Sequence, residues 1–425
     1  MNNRVVITGI GVISPNGIGK NSFVNSIRGG VSGIRNIPDM EKHNLLCHIG
    51  GVPEINWNDY NSFFAENELL DADISIKYGV LSGIEAWRDA GLEINDTKNI
   101  DTLTDCGAII GTTFGGIEVF IRKILPLVDT GNFRKLGSQI MEHFMPSGTS
   151  AALSKILALS NINSSNSSAC STGLEAIYFS YQHIKNNKAK LMMTGGTDLY
   201  SSYCWAGFDS MRVLNRSSNN NPSIGSRPMS ATASGFVPAA GSSVLILEEL
   251  EHAIERNAPI YAEIVGASVN SGGQRNGGSM TFPNPKRVID CIQDSIHQAN
   301  IKGDDINLIC GHLTGTKADS IEINNWVAAL NLSNNIPYIN SLKSMTGHLI
   351  GAAGALETAA AVLQLHHDFV HPSINSEDLH PEIAKLIPRE KIPLKIIENA
   401  GLKYIAKASF GFGDVNSCII LKKYE

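Results

Sequence analysis

Short apolar runs recur along the chain, punctuated by Gly, Ser and Thr: "RVVITGIG", "CGAIIG", "AKLMMTGG", "SSVLILEE", "YAEIVGAS", "INLICGH", "IPYINS", "KASFGFG" and "SCIILKK". Short β-branched runs bounded by turn-formers predict strands. Longer helix-like segments lie between them, at 77–90, 172–186, 286–299, 318–331 and 349–367. Strands alternating with helices predict an α/β fold whose sheets are covered by helices. "SSVLILEE" and "SCIILKK" each follow another strand-like run closely, so part of the pairing is expected to be antiparallel and the sheets mixed.

The pattern carries a faint internal repeat. "VITGIGVIS" (6–14) and "EIVGASVNS" (263–271) share Ile7/Ile264, Gly9/Gly266, Val12/Val269 and Ser14/Ser271 at one offset. "SSACSTG" (167–173) and "SLKSMTG" (341–347) share Ser, Thr and Gly, and set Cys170 beside Ser344. Two similar halves follow, 1–255 and 256–425, divided in the polar helix "EELEHAIERNA". The polar stretch 215–227 is expected to be a loop. The stretch 54–73, with six acidic residues and no basic one, is expected to be a solvated surface.

Composition narrows the function. The chain has 425 residues, 43% hydrophobic, with net charge −6, enough for a large core but with no basic stripe for nucleic acid. No run of apolar residues is long enough to span a bilayer, and the N-terminal run lacks a leader pattern. The seven cysteines, 47, 106, 170, 204, 291, 310 and 418, form no CxxC pair. That argues against a zinc cluster or disulfide framework and points to the cytoplasm.

One cysteine has surroundings suited to chemistry. In "NSSNSSACSTGLEAI" (163–177), Cys170 follows small polar residues and precedes a helix start. Free N–H groups and the positive dipole end there are expected to lower the thiol pKa, and the residue's own N–H can serve an oxyanion hole. "ICGHLTGTKADSIE" places His312 after a strand in a Thr/Gly turn. "NSLKSMTGHLIGAAGALE" places Lys343 and His348 at another strand–turn–helix junction. A thiol and two imidazoles suit an acyl-thioester site, with the imidazoles donating hydrogen bonds where an enolate or oxyanion forms. In "ASFGFGDVNSCIIL", Phe412 is flanked by glycines and is expected to move, with its N–H directed into a pocket.

These segments, with "GGTD" (195–198) and "RPM…GFV" (227–237), occur in the order found in β-ketoacyl-[acyl-carrier-protein] synthases, condensing enzymes of the thiolase-fold superfamily. The chain resembles that family over essentially its whole length. The resemblance implies five α-β-α-β-α layers from two duplicated halves, and a dimer. It implies that Cys170 carries the acyl chain and that His312 and His348 support malonyl decarboxylation. Lys343 would order the histidines through a carboxylate, Glu357 first and Glu322 second. The Cys170 and Phe412 N–H groups would form the oxyanion hole, with Phe412 also the gate. Phe114 and Phe208 would border the acyl pocket, and Arg212 would meet an acidic acyl carrier protein. No metal or dissociable cofactor is implied, because the phosphopantetheine arm arrives on the carrier.

The chain also departs from the family pattern. Leu313 replaces a glycine in "HLTGT", and Asp319 and Glu322 fall one position early. Ser230, Ala233, Ser234 and Ala240 stand where charge is usual, and Asp414 replaces a glycine after the gate. None of these removes a catalytic group. Together they favour a specialised polyketide or polyene pathway over housekeeping fatty-acid elongation, and allow pairing with a chain-length-factor subunit. The acidic stretch 54–73 lies where the family often carries positive charge, leaving Arg122, Lys123, Arg134, Lys135 or a partner subunit to compensate. A phosphate-loop reading of "TGIGVISPNGIGK" fails because Ser14 and Asn21 stand where Gly and Ser/Thr are needed. A CoA-dependent thiolase would need a second cysteine in a turn, whereas Cys418 reads as part of a strand. A non-catalytic chain-length subunit would not need Cys170, His312 and His348 together.

Overall fold

The computed structural model describes residues 3–94, 101–332 and 335–425. Ten strands carry the architecture: β1 (Val5–Ser14), β2 (Cys106–Gly111), β3 (Asn163–Ser164), β4 (Leu191–Asp198), β5 (Gly241–Glu249), β6 (Ala262–Ser271), β7 (Leu308–Cys310), β8 (Tyr338–Asn340), β9 (Tyr404–Gly411) and β10 (Val415–Lys422). Their hydrogen-bonded order is β8-β7-β9-β10-β6-β1-β5-β4-β2-β3, and Gly17–Ile18 adds an eleventh strand against β1. Read outward from the β1/β6 junction, the two sides are alike. The first strand pairs with the fifth, then come the fourth, second and third. On both sides the pairings run antiparallel, antiparallel, parallel, parallel. The sides join where Val5–Ile7 pairs antiparallel with Ala262–Ile264.

The period of two seen in the sequence decides which core each residue enters. In β5, Leu245 and Leu247 face a central core while Val244 and Ile246 face an outer one. In β10, Ile419 and Leu421 enter the same central core while Cys418 and Ile420 face a third cluster. Five helices fill these spaces: α1 (Ile74–Asp89), α2 (Thr172–Lys185), α3 (Pro285–Gln298), α4 (Asp319–Leu330) and α5 (Ala353–His367). α2 and α5 lie in the central core, α1 covers one outer face, and α3 with α4 covers the other. That is the five-layered α-β-α-β-α order. α2 and α5 approach backbone to backbone at Gly173, where a Cβ would stand 2.9 Å from both the Gly351 oxygen and the Ala355 nitrogen.

Local chemistry fixes the helix starts. Asp73 caps α1, its carboxylate accepting the Ser75 N–H at 3.0 Å, and Asn284 caps α3 ahead of Pro285. The acidic stretch 54–73 is therefore more than a solvated surface. Phe64 and Asp73 are buried, and Glu54, Glu68 and Asp71 pair with Arg35, Lys155 and Lys123. The 215–227 loop holds one short 3-10 turn, Pro222–Ile224, and buries Asn215 and Ser226. Lys20, the lysine of the discarded phosphate-loop reading, is held by Asp89 and by the Tyr261 hydroxyl. Among the described residues, no helix is long and apolar enough to cross a membrane.

Candidate active site

Cys170 sits at a strained turn into a helix. Ala169 has φ +46°, Ser171 is the N-cap and α2 begins at Thr172. The Thr172 hydroxyl donates to the Ala169 oxygen at 2.7 Å, and the Ser171 hydroxyl to the Ser409 oxygen at 3.1 Å, so the turn is tied to β9. β9 must come close here. A Cβ on Gly411 would lie 2.9 Å from the Ser168 oxygen and 3.2 Å from the Cys170 nitrogen. The β9–β10 hairpin turn, 412–414, follows and brings Phe412 into the same cavity lining as Cys170, its N–H drawing the thiol's pKa down.

The two histidine segments converge on the same sulfur. His348 Nε2 lies 3.1 Å from Cys170 Sγ, and the rings of His312 and His348 stand edge to face at 5.2 Å. Cys170 Sγ and one nitrogen of each imidazole lie within 4.8 Å of one another. The tautomers follow from the other contacts. His348 Nδ1 accepts the Ile350 N–H at 3.1 Å, so the ring proton is on Nε2, facing the sulfur. Lys343 Nζ lies 3.4 Å from His312 Nδ1, which likewise leaves His312 its proton on Nε2. Thiolate and imidazole at this spacing can ligate a metal, but protonated Nε2 atoms present donors, not lone pairs. Burial, reinforced by Lys343, pushes both imidazoles well below their ordinary pKa and keeps them neutral.

A buried ionic cluster stands behind them. Lys343 Nζ donates to the His312 carbonyl at 2.6 Å and to Glu357, whose other oxygen lies 2.8 Å from Lys407 Nζ. All three side chains are buried. Glu357 is thus the carboxylate partner of Lys343. Glu322 does something else: its two oxygens accept the His312 and Leu313 N–H groups at 2.6 and 2.7 Å and shape the turn that carries the imidazole. Burial pushes Glu322 up to about 7. Lys407 was missed from sequence. Its signal is a lysine interrupting an apolar strand beside the "SFGFG" segment.

Asp198, at the end of β4, clamps two segments together. One oxygen accepts the Thr112 hydroxyl and the Thr113 and Phe114 N–H groups at 3.0 Å each; the other accepts the Gly351 N–H at 2.7 Å, just beyond His348. Burial raises it to about 6.

Cys170, His312 and His348 line a cavity of about 430 Å³ together with Phe208, Phe410 and Phe412. Phe208 lines this cavity and Phe114 approaches it from behind, its ring packed edge to face on Phe208 at 6.0 Å, while Phe208 in turn meets Phe412 at 6.3 Å. One placement differs from the sequence expectation: the Cys170 thiol is not acidified. Sequence shows the helix start but not the burial, which pushes the thiol up to about 11 against the opposing pull of Lys343 and the Phe412 N–H. At the mouth, Arg212 and Lys317 are exposed, and neither joins an ion pair among the described residues. Arg122 and Lys123 pair with Glu118 and Asp71. Cys418 lies in β10, fully buried and pushed up to about 12, outside the cavity lining.

Comparison with known proteins agrees with this architecture. The family described as "Beta-ketoacyl synthase, N-terminal domain" matches residues 2–253, and "Beta-ketoacyl synthase, C-terminal domain" matches residues 261–377. The chain is 33% identical to 3-oxoacyl-[acyl-carrier-protein] synthase 1 of Haemophilus influenzae, over 99% of each chain. It is 34% identical to the chloroplastic synthase II of Arabidopsis thaliana, over 99% of this chain and 76% of that one. A β-ketoacyl synthase from Burkholderia phymatum superposes with a TM-score of 0.86 at 26% identity, covering all of both chains. A type II polyketide ketosynthase, solved in complex with its acyl-carrier protein and bound to the hexaketide, superposes with a TM-score of 0.85 at 27% identity, also over all of both chains. The chain belongs to the β-ketoacyl synthase family, acyltransferases of the thiolase fold that condense acyl groups.

Proposed function

We propose that the chain catalyses decarboxylative Claisen condensation of an acyl-Cys170 thioester with a malonyl-carrier thioester. The observation that carries this reading is the meeting of Cys170 Sγ with a ring nitrogen of each of His312 and His348 in one cavity. In the first half-reaction the Cys170 sulfur attacks the incoming thioester carbonyl. The Cys170 and Phe412 N–H groups receive the oxyanion, and the proton lost by Cys170 balances the one gained by the departing pantetheine thiol. In the second, malonyl loses carbon dioxide. The electron pair left behind forms an enolate whose oxygen takes hydrogen bonds from His312 and His348. The enolate carbon then attacks the acyl-Cys170 carbonyl, and the thiolate leaves. Neutral imidazoles suit this task because each keeps an N–H to donate to the enolate oxygen and, being a far weaker acid than imidazolium, does not protonate the enolate carbon.

Lys343 acts in this scheme through His312 and Glu357, and Phe412 gates the cavity between the two half-reactions. No metal or dissociable cofactor is assigned, the pantetheine arm being part of the substrate. The partner is an acyl carrier protein, met by Arg212 and Lys317 at the mouth. The seven free cysteines accord with a reducing cytoplasm. The departures at Leu313, Ser230, Ala233, Ser234, Ala240 and Asp414 favour a specialised polyketide or polyene pathway; the identity to the Haemophilus synthase supports housekeeping elongation as the alternative. Exposed Phe120, Leu125, Val128, Phe133 and Met141 gather in one segment and suit a subunit interface, in a homodimer or with a chain-length-factor-like subunit. The repeated strand order supports duplicated halves at 1–255 and 256–425. The test is to follow acyl transfer and malonyl decarboxylation separately. Cys170→Ala should abolish acyl transfer in a folded protein, and His348→Ala should impair decarboxylation more than acylation. An active Cys170→Ala enzyme overturns the nucleophile assignment. Mass spectrometry of carrier-bound products, with and without a candidate partner subunit, separates the pathway and assembly alternatives.

A further inference from the structure

The cavity extends past the reacting atoms along α4, where Ile321, Glu322 and Asn325 face it from successive turns. This lobe adjoins the His312 side of the site, since Glu322 holds the His312 N–H at 2.6 Å. Phe410 packs against the His312 ring at 6.2 Å, and Thr314, Thr316 and Asp319 line the cavity beside α4, their polar groups bonded to one another or to backbone N–H groups. Asn325 differs from them. It is only 6% exposed, lines the cavity, and its carboxamide makes no hydrogen bond to any described residue. Its helical neighbours are accounted for: Ile323 and Trp326 pack into the core beneath, and the Trp326 indole N–H reaches Glu322 at 3.3 Å. The carboxamide faces the cavity with no protein group bonded to it, so its donor and acceptor are open to whatever fills the lobe.

We infer that Asn325 forms a subsite for an oxygen substituent on the acyl chain, a carbonyl or a hydroxyl, so that oxygenated polyketide-type chains are preferred over saturated ones. This deepens the condensing reading above and rests on it. The carboxamide offers both a donor and an acceptor, so it serves a ketone through its NH₂ and a hydroxyl through either end. A chain that fills the lobe displaces its water, so the bond made there counts. A saturated chain entering the same lobe would strip the carboxamide of solvent and give nothing back, the asymmetry by which buried polar groups select substrates.

The test compares hexanoyl, β-hydroxyhexanoyl and β-oxohexanoyl carrier thioesters as primers, with wild type and Asn325→Leu, reading kcat/KM for condensation. Asn325→Ala serves as a second variant should the leucine not pack. The expected result is about a tenfold fall in the preference for oxygenated over saturated chains, with saturated-chain rates retained or raised. An equal loss for all three chains places Asn325 on the pantetheine arm they share and overturns the proposal; unchanged ratios overturn it too. Wild-type condensation of the hexanoyl primer reports on the condensing reading separately, so failure of that reading shows there and not in the ratios.

Discussion

Cys170 should behave in the resting enzyme as a protonated thiol, and alkylation against pH tests this directly. Burial pushes the group up to about 11, with Lys343 and the Phe412 N–H pulling the other way and losing. At pH 7 a pKa of about 11 leaves about one sulfur in ten thousand ionised, and about one in a hundred at pH 9. Because the thiolate is the reactive form, the iodoacetamide rate at Cys170 should rise about tenfold per pH unit between about pH 6.5 and 9.5, without levelling off. The other six cysteines are raised as well, so the rate must be read on the Cys170 peptide by mass spectrometry, with Cys170→Ala as control. A plateau reached below about pH 8 would show that the helix start outweighs burial and would refute the reasoning. If the rise is continuous, ionisation must accompany attack, with the Phe412 and His348 donors stabilising the sulfur's charge as the acyl carbonyl arrives.

Three further predictions concern the residues around that sulfur. Lys407→Met removes one charged hydrogen bond from Glu357 while Lys343 keeps it paired; it should cost about 2 kcal/mol in chemical denaturation. Because Lys407 lowers both imidazoles, the same variant should move the acid limb of malonyl decarboxylation to higher pH; an unmoved limb refutes that coupling. Asp414→Gly removes a buried carboxylate that accepts the Gln274 and Asn284 N–H groups at 2.9 and 2.8 Å. Amide exchange at those two residues should quicken and Cys170 acylation should slow, since Phe412 is two residues away; unaltered exchange would mean the carboxylate does not hold the loop. Phe114→Ala should lengthen the products by letting Phe208 retreat, and an unaltered product distribution would separate Phe114 from chain length.

How much of this is legible in the sequence depends on whether the signal is local. The strands and helices are, because period-two and helix-like runs report burial along one segment: 286–299 is α3 (Pro285–Gln298) and 172–186 is α2 (Thr172–Lys185). The antiparallel pairing of β9 with β10 follows from the closeness of the two runs, whereas β4 and β5 also pair antiparallel with residues 199–240 between them, which closeness does not explain. What sequence hid is environment. The helix start at Thr172 is visible in "CSTG", yet whether the sulfur is wet or dry depends on β9 and the 412–414 turn more than two hundred positions away. Lys407 shares its strand face with Ile405 and Ser409, and a lysine there reads as a solvent position until α5 brings Glu357 against it. Phe114 matched a pocket position by motif, but whether it touches the cavity or the residue behind it is set by the ring of Phe208.

The buried cluster is hard to justify as a stabilising feature and easier as a catalytic one. Lys343, Glu357 and Lys407 bring two positive charges and one negative out of water, an arrangement that well-packed apolar residues would replace at little loss or even a gain in stability. Its net positive charge, however, lies behind two imidazoles that must stay neutral to donate, and in front of which a negative oxygen must form. The same field that discourages imidazolium favours the enolate and the oxyanion. A balanced pair, with one lysine and one glutamate, would satisfy hydrogen bonding equally well but would supply no such bias. Asp198 does not oppose this: its charge is held on backbone N–H groups and the Thr112 hydroxyl, and burial raises it to about 6; Glu322, raised to about 7, interacts with Lys343 and offsets part of the positive field only in its ionised form. The excess lysine, and not the pairing, is therefore the feature this site would lose least willingly.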